Sequence, residues 1–364
     1  MEKVMSRKLI TISTIMTLMS TSVIADVPNV AADIAPIHSL VSRVMDGVGA
    51  PKLIVQSGAS PHGYRLRPSE AKALQDADHV FWMGEELTPW LDSAIDTLAT
   101  KASVTTLLDQ EGIILHDFRE GALFEAHDHS AHGDDDHDDH DDHDDHDDHK
   151  DHDDHDDHDD HDDHKDHDDH DDHDDHDDHK DHDDHDDHDD HDDHGSHDPH
   201  AWLSPENAKL WLNIIASKLS VSDPENAATY FMNAAAGQAE IEAMIAEVKA
   251  TLKPVQGGKF VVFHDAYQYF ENDFDFYASG AISLGDSSDP SPARIEKVQK
   301  RIRDEGIQCV LAEPQFKKGL VATVMEGSDA TASVIDPLGA ELETGPKLYT
   351  RLIKNMAKTL RNCL

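Results

Sequence analysis

Phe260-Val261-Val262-Phe263, running into His264, is a short apolar segment that begins just after the helix-stopping Gly257-Gly258. It reads as a β-strand, and the residues after it alternate between two periodicities. A helical segment around Tyr267 to Asn272 follows, then a strand from Ala281 to Leu284. Ser291-Pro292 opens a helix to Arg303, and Cys309 to Ala312 is the next strand. Lys318 to Met325 reads as a helix, Ser333 to Ile335 as a strand, and Pro346 to Arg361 as the last helix. Strands alternating with helices predict a parallel sheet, hence an α/β lobe.

The residues upstream repeat the scheme. Strands are expected at Val27 to Ala31, Leu53 to Val55, His79 to Met83 and Val104 to Leu108. Between them Ile37, Leu40, Val41, Val44, Met45 and Val48 keep the spacing of a one-faced helix, and Pro68 to Ala77 and Pro89 to Leu98 add two more. Ser204-Pro205-Glu206 has the cap-and-proline form of a helix start, continuing through Trp211 to Lys218. A second start at Asp223-Pro224-Glu225 leads to a helical pattern that lasts to Leu252, before Pro254. Thirty helical residues span about 45 Å, enough to run along both lobes as a stiff strut. The predicted organisation is a first lobe over 26–222, a linking helix over 223–253 and a second lobe over 254–364.

The formal net charge is −47 over 364 residues, which no ordinary globular domain carries. Between His127 and His200 lie 40 Asp, 3 Lys and 25 of the 30 histidines; elsewhere 27 Lys and Arg face 37 Asp and Glu. Outside that stretch about 46% of residues are apolar, a normal globular composition. His recurs every third residue from His137 to His194, mostly as Asp-Asp-His, with Lys150, Lys165 and Lys180 marking a longer period. With almost nothing apolar to bury, residues 127–198 are predicted to be disordered. This acidity argues against a nucleic-acid partner.

Residues 1–25 read as an export signal. Lys3, Arg7 and Lys8 precede a short apolar core from Leu9 to Met19, and Val23-Ile24-Ala25 suits cleavage after Ala25. The alternative, a membrane anchor, needs about 20 apolar residues, and this run is too short. In an exported chain the two cysteines, Cys309 and Cys363, suggest a disulfide that pins the last helix to a strand; two buried thiols are the alternative.

Five histidines lie outside the repeat, and His200 closes it in a non-repetitive context. His62 follows the strand Leu53-Ile54-Val55, His264 ends Phe260–Phe263, and His200 lies four residues before Ser204. Asp336 ends the strand Val334-Ile335. These are loop positions where α/β sheets place ligands. Three imidazoles with one carboxylate or water suit a tetrahedral ion such as Zn²⁺. His38 is expected to pack beside the first helix, and Trp82 and Trp90 to pack rather than bind a cofactor. His79 is expected to open a strand and His116 to lie in a loop. Asp265 and Glu313 are candidates for orienting a ligand.

Several motifs carry a resemblance. Gly58-Ala59-Ser60-Pro61-His62-Gly63-Tyr64 with Leu66-Arg67-Pro68-Ser69 looks like the first metal motif of the zinc-specific substrate-binding proteins of ABC importers, the ZnuA family. Asp198-Pro199-His200-Ala201-Trp202-Leu203-Ser204-Pro205 looks like the second motif. Phe263-His264-Asp265-Ala266-Tyr267 with Tyr269-Phe270 looks like the third. Ala312-Glu313-Pro314-Gln315-Phe316 and Asp336-Pro337-Leu338-Gly339 match further landmarks, as does an acidic His-rich loop between the first two motifs.

The resemblance implies two (β/α)₄-type lobes joined by a rigid helix, with Zn²⁺ buried between them on His62, His200 and His264. It implies a periplasmic carrier that delivers zinc to a membrane permease, acting as a monomer and not as an enzyme. Some members carry Glu just before the first histidine; Pro61 stands there in this chain, which leaves Asp336 or a water, with Asp336 favoured. The disulfide also resembles one in zinc-binding members. The Asp/His repeat is read as a zinc scavenger and buffer, since imidazoles interleaved with carboxylates hold the metal in many interchangeable ways. A zinc hydrolase and a storage or adhesion protein are the competing functions. No His-Glu-x-x-His pattern favours the first.

Overall fold

The computed structural model describes residues 27–119, 123–124, 197–283, 290–315 and 318–364. The expected export signal lies outside these residues, as do the repeat, Leu284 and Phe316. In the first half, strands β1 (Val30–Ala32), β2 (Lys52–Leu53), β3 (His79–Trp82) and β4 (Ser103–Thr106) form one sheet in the order β2-β1-β3-β4. In the second half, β5 (Phe260–His264), β6 (Ala281–Ser283), β7 (Cys309–Ala312) and β8 (Thr331–Val334) form another in the order β6-β5-β7-β8. Every pairing is parallel. Helices α1 (Ala35–Val44), α2 (Pro68–Gln75) and α3 (Pro89–Leu98) belong to the first half. Helices α6 (Gln268–Phe274), α7 (Pro292–Glu305), α8 (Lys318–Met325) and α9 (Leu348–Cys363) belong to the second. The two α/β lobes expected from the alternating pattern are both present.

Parallel strands bury both faces, and period-two alternation divides their side chains between two cores. Phe260 and Val262 face a core shared by both halves, whereas Val261 and Phe263 face one confined to the second. The same parity sends Val30 and Ala32 to the shared core and Ala31 to one on the far side of the first sheet. Trp202, Trp211, Tyr230, Tyr269 and Tyr349 are fully buried in the shared core.

The helix starts at Ser204 and Ser291 form as the sequence indicates. Each serine Oγ accepts the backbone N–H three residues on, and a proline opens each helix. Gly306, in the left-handed region at φ 62°, ends α7. Between the halves the predicted start at Asp223 shifts. α4 (Pro205–Ser222) ends there, and the Asp223 carboxylate accepts from Asn226 Nδ2 and Tyr230 Oη, both at 2.7 Å. The linking helix α5 (Ala227–Leu252) begins after that turn and is about 39 Å long.

α5 packs against α1 and α4 on one side and α9 on the other. Ion pairs follow it: Glu240 with Arg43, Glu242 with Lys209, and Glu247 with Lys354 at 2.5 Å. A Cβ at Gly237 would lie 2.9 Å from Leu212 Cδ1 and 3.1 Å from Arg43 Cγ, so glycine permits the close approach. The Cys309–Cys363 disulfide ties β7 to the end of α9, with Cα atoms 5.5 Å apart. Residues 114–119 and 123–124 meet the second half: the His116 amide donates to Tyr269 Oη at 3.1 Å, and Leu123 pairs with Gly280.

Candidate metal centre

Ligands gather at the carboxyl ends of parallel strands, and here the end of β5 and two further segments bring His62, His200 and His264 together. Each offers one nitrogen, and these atoms all lie within 4.8 Å of one another. His264 is the last residue of β5, on the shared-core side with Phe260 and Val262, and is 3% exposed. His200 precedes the single turn Ala201–Leu203 that leads into α4, and is 5% exposed. His62 lies half-buried in the loop between β2 and α2.

Carboxylates fix the two buried rings. His200 Nδ1 donates to Asp198 Oδ1 at 2.6 Å, and His264 Nδ1 donates to Glu313 Oε1 at 2.5 Å. Glu313 is itself held by Gln315 Nε2 at 2.8 Å. With each Nδ1 proton committed, the two Nε2 atoms face one another 3.3 Å apart. A cation between two such nitrogens stabilises both. Two nitrogens on one tetrahedral zinc, each about 2.05 Å from it, would be about 3.3 Å apart. The donor set and its spacing therefore fit that ion.

The His62 loop is tied from outside. Trp90 Nε1 donates to Pro61 O at 2.7 Å, Tyr64 Oη to Glu70 Oε1 at 2.8 Å, and the Arg67 amide to Glu70 Oε2 at 2.7 Å. Glu70 thus caps α2 and anchors the loop with one side chain. The cavity lined by His62, His200 and His264 with Pro61, Trp202, Gln315, Pro337 and Leu338 measures about 10 Å³. That is room for one water or one small ion.

Asp336, expected as the fourth ligand, does not join the three imidazoles. Its Oδ1 accepts the amides of Leu338 and Gly339 at 3.0 and 2.8 Å, and its Oδ2 that of Ala340 at 2.6 Å. A carboxylate that satisfies three backbone N–H groups is built into its loop. His38, His79 and His116 find partners elsewhere. His38 Nε2 bonds Pro51 O at 3.2 Å, His79 Nε2 bonds Ser222 Oγ at 2.6 Å, and the His116 ring packs 4.7 Å from Tyr269. Burial lowers the pKa of all three.

Two contributors escaped the sequence reading. Asp198, two residues before His200, is near enough in sequence to have been suspected as its partner. Arg119 carried no such signal: it lies 146 residues from Asp265 and 152 from Glu271, yet its guanidinium engages both. Burial pushes both carboxyls up, and the guanidinium opposes that shift.

The family described as zinc-uptake complex component A, periplasmic, matches residues 30–363. The high-affinity zinc uptake system protein ZnuA of Brucella abortus (strain 2308) is 47% identical over 335 residues, covering 92% of this chain and 91% of its own. The protein of the same name from Paracoccus denitrificans (strain Pd 1222) is 42% identical over 341 residues, covering 93% of each. Among solved structures, a ZnuA crystal structure superposes with a TM-score of 0.64 at 19% identity, covering 93% of this chain and 99% of its own, and so shares the fold. A match across nearly the whole described length, together with relatives well above 30% identity, establishes that this chain belongs to the ZnuA family.

Proposed function

We propose that this protein is an exported, periplasmic carrier that captures Zn²⁺ on His62, His200 and His264, with water in the fourth position, and delivers it to the membrane subunit of an ABC importer. The observation that carries the reading is the pair of carboxylate-backed Nε2 atoms 3.3 Å apart in a cavity sized for one ion. Imidazole is softer than carboxylate, so three such donors favour zinc over manganese. The Brucella and Paracoccus relatives, both high-affinity zinc uptake system proteins, agree with it.

The chain works as a monomeric binding protein rather than an enzyme. A zinc hydrolase needs space for substrate beside the metal, and the cavity among the three imidazoles is small, about 10 Å³. The Asp/His repeat scavenges and buffers zinc in several weak, interchangeable sites. Competition against a chromophoric chelator tests the assignment. Wild type should hold one tight zinc ion, and His264→Ala should lose it. A chain without residues 134–194 should keep the tight ion and lose only the weaker ones. Unchanged tight binding in His264→Ala would refute the site.

A further inference from the structure

Carboxylates lie close around the three imidazoles, and each is already committed. Asp198 accepts from the His200 ring and, at 3.0 Å, from its amide. Glu313 accepts from the His264 ring and from Gln315, and Asp336 from three amides of its own loop. Asp265 follows His264 directly, at the end of β5 where the imidazoles converge. Its partner alone comes from far away in the chain. Arg119 Nε lies 3.0 and 3.1 Å from the two Asp265 oxygens, and Nη2 makes a further bond to Oδ1. The same guanidinium reaches Glu271, with Nη1 2.6 Å from Oε2, and rests 3.6 Å above the Phe124 ring. Asp265 is 6% exposed and Glu271 1%, so this is a built, desolvated clamp rather than a surface ion pair.

We propose that Arg119 is a positioning residue that sets metal preference by withholding the Asp265 carboxylate from the zinc site. A guanidinium is the group suited to this task. Its planar fork occupies both carboxylate oxygens at once and cannot be deprotonated. Released, the Asp265 carboxylate has lost its cation and stands beside a site that supplies one. An oxygen donor added to three imidazoles favours harder ions, Mn²⁺ above all, relative to Zn²⁺. The clamp therefore acts on selectivity more than on fold, although it rests on the three-imidazole reading of the site.

The test is metal competition on the full chain. In Arg119→Met the ratio of Mn²⁺ to Zn²⁺ affinity should rise at least about tenfold, and the visible spectrum of the Co²⁺-loaded protein should change. Adding Asp265→Asn to that variant should restore both the ratio and the spectrum. Asp265→Asn alone should leave both as in wild type. If Arg119→Met does not fold, Arg119→Lys keeps the charge without the fork and should raise the ratio by a smaller factor. A parallel loss of affinity for both metals would overturn the proposal, as would a ratio that stays high in the double variant. Neither result would touch the three-histidine site, whose own refutation is unchanged zinc binding in His264→Ala.

Discussion

The two halves share one strand order and differ in what they present at the strand ends. β1 and β5 occupy the same place in their sheets. β1 ends at Ala32 and is followed by Asp33, whereas β5 ends at His264 and is followed by Asp265. Asp33 accepts the amides of Ile34 and Met83, both at 2.7 Å, and so stitches its own half together. Asp265 is held by Arg119, from the segment that crosses between halves. Next to β5, β7 leads into Glu313, which backs His264; next to β1, β3 leads into Met83. The second half thus offers a ligand on a strand, supported by a carboxylate just past the end of the neighbouring strand. The first half offers His62 from a loop. The same fold can place one ligand rigidly and another adjustably, depending on whether it sits on the ladder or beyond it.

The largest expected effect breaks that asymmetry at its source. His264→Ala should weaken zinc binding about 10³-fold, since each ligand of a buried site contributes several kcal/mol. His62→Ala should cost about 10²-fold, because solvent reaches that half-buried position and water can replace the ring. Equal losses in chelator competition would show the loop ligand to be as fixed as the strand ligand.

The second difference is covalent, because the described disulfide lies in the second half. Closing a loop with a sequence separation of 54 stabilises by up to about 4 kcal/mol in the chain-entropy estimate. Cys309→Ser with Cys363→Ser should lower the urea midpoint accordingly and leave zinc affinity within about threefold, because Cys309 opens β7, paired with Phe260 at the end of the strands away from His264.

The first half should carry a pH dependence of its own. Burial pushes Asp33 up to about 7, against a usual value near 3.8. The folded state therefore holds the proton more tightly than the unfolded chain, so the contribution is complete below about pH 4 and is lost as pH rises through about 7. Unfolding free energy should fall by about 2 kcal/mol between pH 5 and 7 from this group. Asp33→Asn should flatten the curve; an unchanged slope would show that Asp33 stays ionised.

The smallest effect sharpens the comparison at its support. Glu313→Gln keeps the shape of the side chain but removes the charge behind His264, and should weaken zinc binding about tenfold. An effect as large as that of His264→Ala would mean that the carboxylate fixes the ring entirely.

Much of the fold was legible because burial has a period. Phe260–Phe263 and His79–Trp82 announce strands, and Ser204-Pro205 and Ser291-Pro292 announce helix starts through groups that must find partners locally. Strand edges were less legible. β1 starts at Val30 rather than Val27, and β8 ends at Val334 rather than Ile335, since ladder ends depend on the neighbouring strand. The helix expected from Asp223 starts later because its carboxylate finds Tyr230, a partner one turn into α5.

The sequence by itself determined the alternation of strands and helices, because periodicity is a local property; the three histidines were singled out by the motifs that carry the family resemblance, and the two cysteines suggested a bridge with two thiols as the alternative. Only the tertiary structure decided how the carboxylates are used. Asp336 is drawn to the amides of its own loop, Asp198 and Glu313 orient the rings, and Arg119 holds Asp265. A carboxylate goes to whichever donor lies nearest after burial, and for Asp265 that proximity comes from packing between segments more than a hundred residues apart.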